Sequence, residues 1–204
     1  MRLGIFGGVF NPPHIGHLVC AQEALVRLEL DEILIVAVGQ APHREVEDDP
    51  GGETRLALCQ AAVEGDERLR VSRVELDRPG PSYTVDTLRA VREQRSADDD
   101  LVLLLGGDQA ADLAHWHEPE EVLALAEVGV VARSDLSPDD VRARLGGLRG
   151  AEGLRFFEMP RIDISSTLVR RRVAEGLPIR YLVPGPVERL IGERRLYRTP
   201  VAAS

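Results

Sequence analysis

The run Leu101-Val-Leu-Leu-Leu105, bounded by an acidic trio and by Gly106-Gly107, narrows most sharply what this chain can become. A short segment with no polar face reads as a strand covered on both sides. Such strands belong to parallel sheets, whose crossovers lay helices on each face. Other apolar runs over 3–6 and 32–38 are strand-like, and helical periodicity over 15–30 and 54–63 completes a βαβα start. Further strands are expected over 70–76, 128–132 and 155–158. Helices are expected over 83–95, 110–116, 119–126, 138–145, 166–175 and 186–194. The alternation predicts an α/β fold, a doubly wound parallel sheet with helices on both faces and a small C-terminal helical segment from about residue 165. With no linker, repeat or low-complexity tract, one domain over 1–204 is expected.

Charge excludes one class of function. The 204 residues carry 34 acids and 25 bases, net −9, the wrong sign for a broad nucleic-acid footprint. The imbalance is local: residues 1–160 hold 16 Arg and 30 acids, whereas residues 161–204 hold 9 Arg and 4 acids. The C-terminal fifth is therefore where an anion contact is sought, with a solvated basic helix as the plainer alternative. Every base is Arg, a planar fork suited to bidentate phosphate contact. Cys20 and Cys59 stand outside any metal-ligand spacing and read as buried, inert thiols. With no apolar run long enough to span a bilayer and no leader pattern after Met1, the expected location is cytoplasmic.

The segment Gly4-Ile-Phe-Gly-Gly-Val-Phe-Asn-Pro-Pro-His-Ile-Gly-His-Leu18 carries the most chemistry. Gly7 and Gly8 let backbone approach a ligand at the carboxyl end of the first strand, where open α/β sheets place their sites. His14 and His17 follow in the first helical turn, three apart, so both rings and the free N–H groups of the helix start can face one anion. Zinc is a weaker reading, because no third ligand is spaced nearby. Neither the dinucleotide G-x-G-x-x-G nor the Walker element is present.

This stretch resembles the G-G-x-F-(D/N)-P-x-H-x-G-H signature of the nucleotidyltransferase superfamily. The resemblance implies a Rossmann-like sheet and a transfer in which an acceptor phosphate attacks the α-phosphorus of a nucleotide and pyrophosphate leaves. The segments Arg78-Pro-Gly-Pro-Ser-Tyr-Thr-Val-Asp-Thr-Leu88, Leu105-Gly-Gly-Asp-Gln109 with Trp116, and Asp163-Ile-Ser-Ser-Thr-Leu-Val-Arg170 with Ile179-Arg-Tyr-Leu-Val-Pro184 are similar to bacterial nicotinate-nucleotide adenylyltransferases. The implied activity joins ATP and nicotinate mononucleotide into deamido-NAD, with no nucleic-acid polymer and no membrane as partner. A homo-oligomer stays open. The alternatives are a pantetheine-phosphate adenylyltransferase-like enzyme, which shares H-x-G-H but is not expected to carry G-P-S-Y-T, and a catalytically silent nucleotide-binding regulatory module.

The resemblance assigns roles residue by residue. His14, His17 and Arg170 would be catalytic. Gly7, Gly8, Phe10, Gly106, Asp108, Ser165, Ser166 and Thr167 would join them around ATP, with Mg²⁺ held mainly by its phosphates. The serine pair and Thr167 also read as a helix start whose hydroxyls and N–H groups form an anion site, with Arg170 one turn in on an accessible face. Asp108 suits ribose hydroxyls or an N-cap. For the mononucleotide the resemblance offers His43 and Arg44 for the phosphate, Trp116 for stacking, and the backbone near Thr84 and His117 for the carboxylate. Two departures stand out: Ala41 replaces the first Pro of the P-P-H-(K/R) loop, and Ala132-Arg-Ser134 lacks the usual Arg-Pro pair.

Overall fold

The computed structural model describes residues 1–41, 46–132 and 136–198. Six strands, β1 (Arg2–Gly8), β2 (Glu32–Ala37), β3 (Leu69–Ser72), β4 (Asp100–Gly106), β5 (Glu127–Val131) and β6 (Arg155–Phe157), form one parallel sheet in the order β3-β2-β1-β4-β5-β6. The doubly wound expectation is therefore met. The helices are α1 (Ile15–Arg27), α2 (Gly52–Ala62), α3 (Thr84–Glu93), α4 (Gly107–Ala111), α5 (Pro119–Leu125), α6 (Pro138–Arg144), α7 (Ser166–Ala174) and α8 (Gly185–Glu193).

Successive side chains of the apolar strands go to opposite faces, and each face has its own core. Leu3, Ile5, Leu101, Leu103 and Leu105 pack with Val85 and Leu88 of α3, while Val102 and Leu104 pack with Ala21, Ala24 and Leu25 of α1. A third cluster joins Leu58 of α2 to Val169 of α7 and Val187 of α8, so the C-terminal helices lie against α2. Both cysteines are buried as expected, and burial pushes the Cys59 thiol up to about 12.

Two expected elements come out shorter. The alternation over 70–76 ends at Ser72, whose hydroxyl accepts the Val74 N–H, and a turn closes with the Asp77 N–H on the Arg73 carbonyl. That exit carries Glu75 off the sheet to the loop after β2. The single helix expected over 110–116 is instead α4 followed by a 3₁₀ turn over Leu113–His115, because the Asp112 N–H tightens onto both the Asp108 and Gln109 carbonyls.

Sequence reading passed over Arg55. It is 1% exposed within α2, and its guanidinium donates to the carbonyls of Val9 (3.3 Å), Val38 (2.6 Å) and Gly39 (3.3 Å) while pairing with Asp49 at 2.9 Å. One cation thus ties together the chain leaving β1 and the chain leaving β2. Arg55→Met should cost about 3–5 kcal/mol, because it strands three part-buried carbonyls and a carboxylate at once. Urea unfolding measures this, and a loss below about 1 kcal/mol would show that water replaces the fork.

Candidate active site

Strand order reverses direction of build at β1 and β4, which leaves a crevice above their carboxyl ends. Two cavities occupy it. One, of about 370 Å³, is lined by Phe6, Phe10, His17, Gly106 and Gly107 among others; the second, of about 450 Å³, reaches Ser82, Tyr83, Thr84, Trp116 and His117. Gly7, Gly8, Leu105, Asp108 and Gln109 line both, so the two spaces meet over the end of β1. A Cβ at Gly7 would meet nothing within 4 Å, so what glycine supplies there is open backbone facing the cavities.

The two histidines are not equivalent. His14 is the N-cap of α1 rather than a first-turn residue and is 3% exposed, whereas His17 is half-buried and lines the first cavity. Their rings lie 3.8 Å apart at 32°, so His14 backs His17 instead of standing beside it on an open face. His17 Nδ1 accepts the His14 backbone N–H at 3.1 Å. A neutral ring held this way carries its proton on Nε2. Phe10, at φ 48°, sets its ring edge-on to His17 at 5.0 Å.

The helix start offers fewer N–H groups than the sequence led one to expect. The Ile15 N–H goes to the Leu182 carbonyl at 3.0 Å and the His17 N–H to the His14 carbonyl at 2.9 Å. The Ile179–Pro184 segment therefore acts as a brace for α1.

Arg170 requires a correction. It is 7% exposed, not on an accessible face, and its Nη1 donates to the Asn11 carbonyl at 3.1 Å while Nη2 and Nε pair with Glu47 (2.7 Å) and Asp48 (3.2 Å). The reason lies in Asn11, which is buried, donates to the Glu47 carbonyl at 2.7 Å and accepts from Tyr197 at 2.7 Å. The Arg170 fork is drawn in to serve the enclosed Asn11 carbonyl. Two hydroxyls of the α7 start are engaged too: Ser165 caps the Leu168 N–H at 3.1 Å and Ser166 donates to the Pro12 carbonyl at 2.8 Å, whereas Thr167 is exposed. None of these three, nor Arg170, lines either cavity.

Asp108, Thr84, Trp116 and His117 line the larger cavity. Asp108 is the second residue of α4, Gly106 being its N-cap, and lines both cavities. Trp116 is half-buried in the wall of the larger cavity, carried there by the 3₁₀ turn. Thr84 opens α3, and the His117 ring lies 4.5 Å from that of Tyr83. Ser82 and Glu75, both missed from sequence, pin the loop after β2: the Ser82 hydroxyl accepts from the Gly39 and Gln40 N–H groups, and Glu75 accepts from Gly39. Their signal was position alone, a hydroxyl and a carboxylate beside a turn. His43 and Arg44 lie outside the described residues, as do residues 133–135.

Residues 5–172 match the Cytidylyltransferase-like family model. A curated relative from Thermomicrobium roseum, "Probable nicotinate-nucleotide adenylyltransferase", is 42% identical over 97% of this chain and 92% of its own. One of the same name from Shouchella clausii is 40% identical over 96% of both chains. Among solved structures, a Plasmodium falciparum nicotinic acid mononucleotide adenylyltransferase has the same fold, with TM-score 0.75 at 15% identity and 96% of each chain covered.

Arg170→Lys keeps the charge but loses the fork. A single ammonium cannot serve the Asn11 carbonyl, Glu47 and Asp48 together, so urea unfolding should register a loss of about 1–3 kcal/mol. Parent-like stability would mean that these three contacts contribute nothing to the fold.

Proposed function

From the chain's membership of the nicotinate-nucleotide adenylyltransferase family, shown by relatives at about 40% identity over nearly its full length, we infer that it joins ATP and nicotinate mononucleotide into deamido-NAD and pyrophosphate. The observation that carries the reading is the pair of cavities sharing the Gly7-Gly8 and Asp108 wall. Two substrates whose phosphates must meet need two pockets and one junction. ATP takes the cavity of His17, Phe10 and Gly106, and the mononucleotide takes that of Thr84, Trp116 and His117.

The reaction needs little covalent help. An oxygen of the mononucleotide phosphate, already ionised, attacks the α-phosphorus of ATP, and the bond to the bridging oxygen breaks to release pyrophosphate. Catalysis is positioning and charge stabilisation. His17 donates from Nε2 to phosphate oxygens; His14 fixes that tautomer through its backbone N–H and backs the ring. Asp108 accepts from ribose hydroxyls at the junction. Arg170 holds the Asn11–Pro13 turn that delivers both histidines; it reaches triphosphate only by trading exposed Glu47 and Asp48 for phosphate oxygens. Ser166 supports the same turn from α7 through the Pro12 carbonyl, while Ser165 caps that helix and Thr167 stands exposed beside it; His43 with Arg44 would receive the mononucleotide phosphate.

Among the described residues no group of three or more His, Cys, Asp or Glu is arranged to hold a metal. A lone Asp108 at the junction fits Mg²⁺ that keeps its waters and rides on phosphate oxygens. There the ion would neutralise charge on the departing pyrophosphate. No described helix is long and apolar enough to cross a membrane. The enzyme is read as cytoplasmic and as one domain, with helices α7 and α8 seated on α2.

Nicotinate offers a carboxylate and nicotinamide an amide whose N–H groups would face the N–H groups near Thr84 and His117. One donor left unpaired costs about 1–3 kcal/mol, which predicts roughly 5- to 150-fold preference for the acid. Trp116→Ala should weaken both mononucleotides and leave their ratio largely unchanged, since stacking sees the ring and not its substituent. Specificity constants for both substrates check this; equal use by the parent, or a ratio that collapses in the variant, contradicts it.

His17→Ala should lower turnover of order 10²–10³ while costing only about 1 kcal/mol of stability, the worth of its bond to the N-cap. Steady-state pyrophosphate release alongside urea unfolding separates the two effects. Near-parent turnover would remove His17 from the mechanism.

A further inference from the structure

Two charged side chains lie behind the larger cavity with no ion-pair partner among the described residues. Glu75 is 7% exposed and lines the cavity wall; its Oε1 accepts from the Thr87 hydroxyl at 2.7 Å and its Oε2 from the Gly39 N–H at 3.3 Å. On the other side of Thr87, Arg78 Nη2 lies 3.4 Å from the same hydroxyl oxygen and 3.5 Å from the Tyr83 carbonyl. Arg78 Nη1 is buried and has no hydrogen-bond partner among the described residues. An arginine does not give up water at one nitrogen for nothing, since an unpaired buried donor is costly. Its contacts with Thr87 and Tyr83 are long, and the Thr87 hydroxyl that it approaches is the one that donates to Glu75.

We propose that Arg78 sets the preference for an acidic over an amide ring substituent by cancelling, through Thr87, the charge that Glu75 brings to the cavity wall. The proposal rests on reading this cavity as the mononucleotide pocket. A lone carboxylate in the wall would repel the nicotinate carboxylate and would accept from the N–H groups of nicotinamide, so Glu75 alone selects the wrong substrate. Yet Glu75 is needed, because with Ser82 it fixes Gly39 at the mouth of the loop after β2. Arg78 resolves the conflict from outside the cavity: it does not line the space, so it adds charge without forming an ion pair with the substrate. Acting through Thr87, Arg78 is a specificity-determining positioning residue and not a catalytic one.

The test is the ratio of kcat/KM for nicotinate and nicotinamide mononucleotides in the parent, Arg78→Gln, Arg78→Lys, Glu75→Gln and the Arg78→Gln/Glu75→Gln double variant. Arg78→Gln should lower kcat/KM for the nicotinate substrate about tenfold, through KM, the size of one charge acting across several ångströms of protein. The nicotinamide substrate should change little. Arg78→Lys should keep the parent ratio, and the double variant should recover it. If Arg78→Gln does not fold, Glu75→Gln alone decides: it should raise the ratio several-fold. An active parent with Arg78→Gln lowering both substrates equally, or with Glu75→Gln leaving the ratio unmoved, overturns the proposal alone. A parent that uses neither mononucleotide overturns the pocket assignment as well.

Discussion

Everything at the site follows from β1 having a parallel neighbour on each side, β2 at Leu3–Gly8 and β4 at Arg2–Ile5. Parallel pairing sends all carboxyl ends to one edge, and the chain leaving β1 must cross to one face while the chain leaving β4 crosses to the other. The crevice between those departures cannot be filled by either crossover. Glycine at 7 and 8 keeps backbone, not side chain, at its floor. Two cavities meeting at one seam are the consequence of topology before any functional residue is placed.

What the fold then adds is a set of buried polar ties that convert loops into fixed walls. Arg55 binds the exits of β1 and β2; Asn11 gathers Glu47, Arg170 and Tyr197; Glu75 and Ser82 hold Gly39. Each is a group that would be costly to bury alone and becomes affordable only in company. Burial pushes the Tyr197 phenol well above its usual range against the lowering pull of Arg170, so its bond to Asn11 is made by a neutral hydroxyl. Because these ties use acceptors on separate elements, the site is assembled only in the complete fold, as a junction that must align two phosphates requires.

The sheet was legible because its strands are short, apolar and separated by helical periods; local pattern sufficed for Leu101–Leu105 and for Leu3–Phe6. The H-x-G-H loop, Asp108, Thr84 and Trp116 were picked out through the resemblance, and His17, Asp108, Thr84 and Trp116 line the cavities. Arg170 was misread for a physical reason. Helical spacing places it one turn into α7 but says nothing of the buried Asn11 carbonyl 159 residues earlier in the chain. The same blindness hid Arg55, Glu75 and Arg78, whose partners lie across loops. Shortened β3 and the break after α4 likewise depend on a serine hydroxyl and a bifurcated bond that periodicity does not register.

The central claim is that one seam brings an ATP phosphate and a mononucleotide phosphate together. Its most direct measurement follows products with ATP, Mg²⁺ and nicotinate mononucleotide present together and each substrate omitted in turn. The account predicts pyrophosphate and deamido-NAD formed one for one, and neither without both substrates. Pyrophosphate or ADP released from ATP alone, or no dinucleotide when both are supplied, would contradict it.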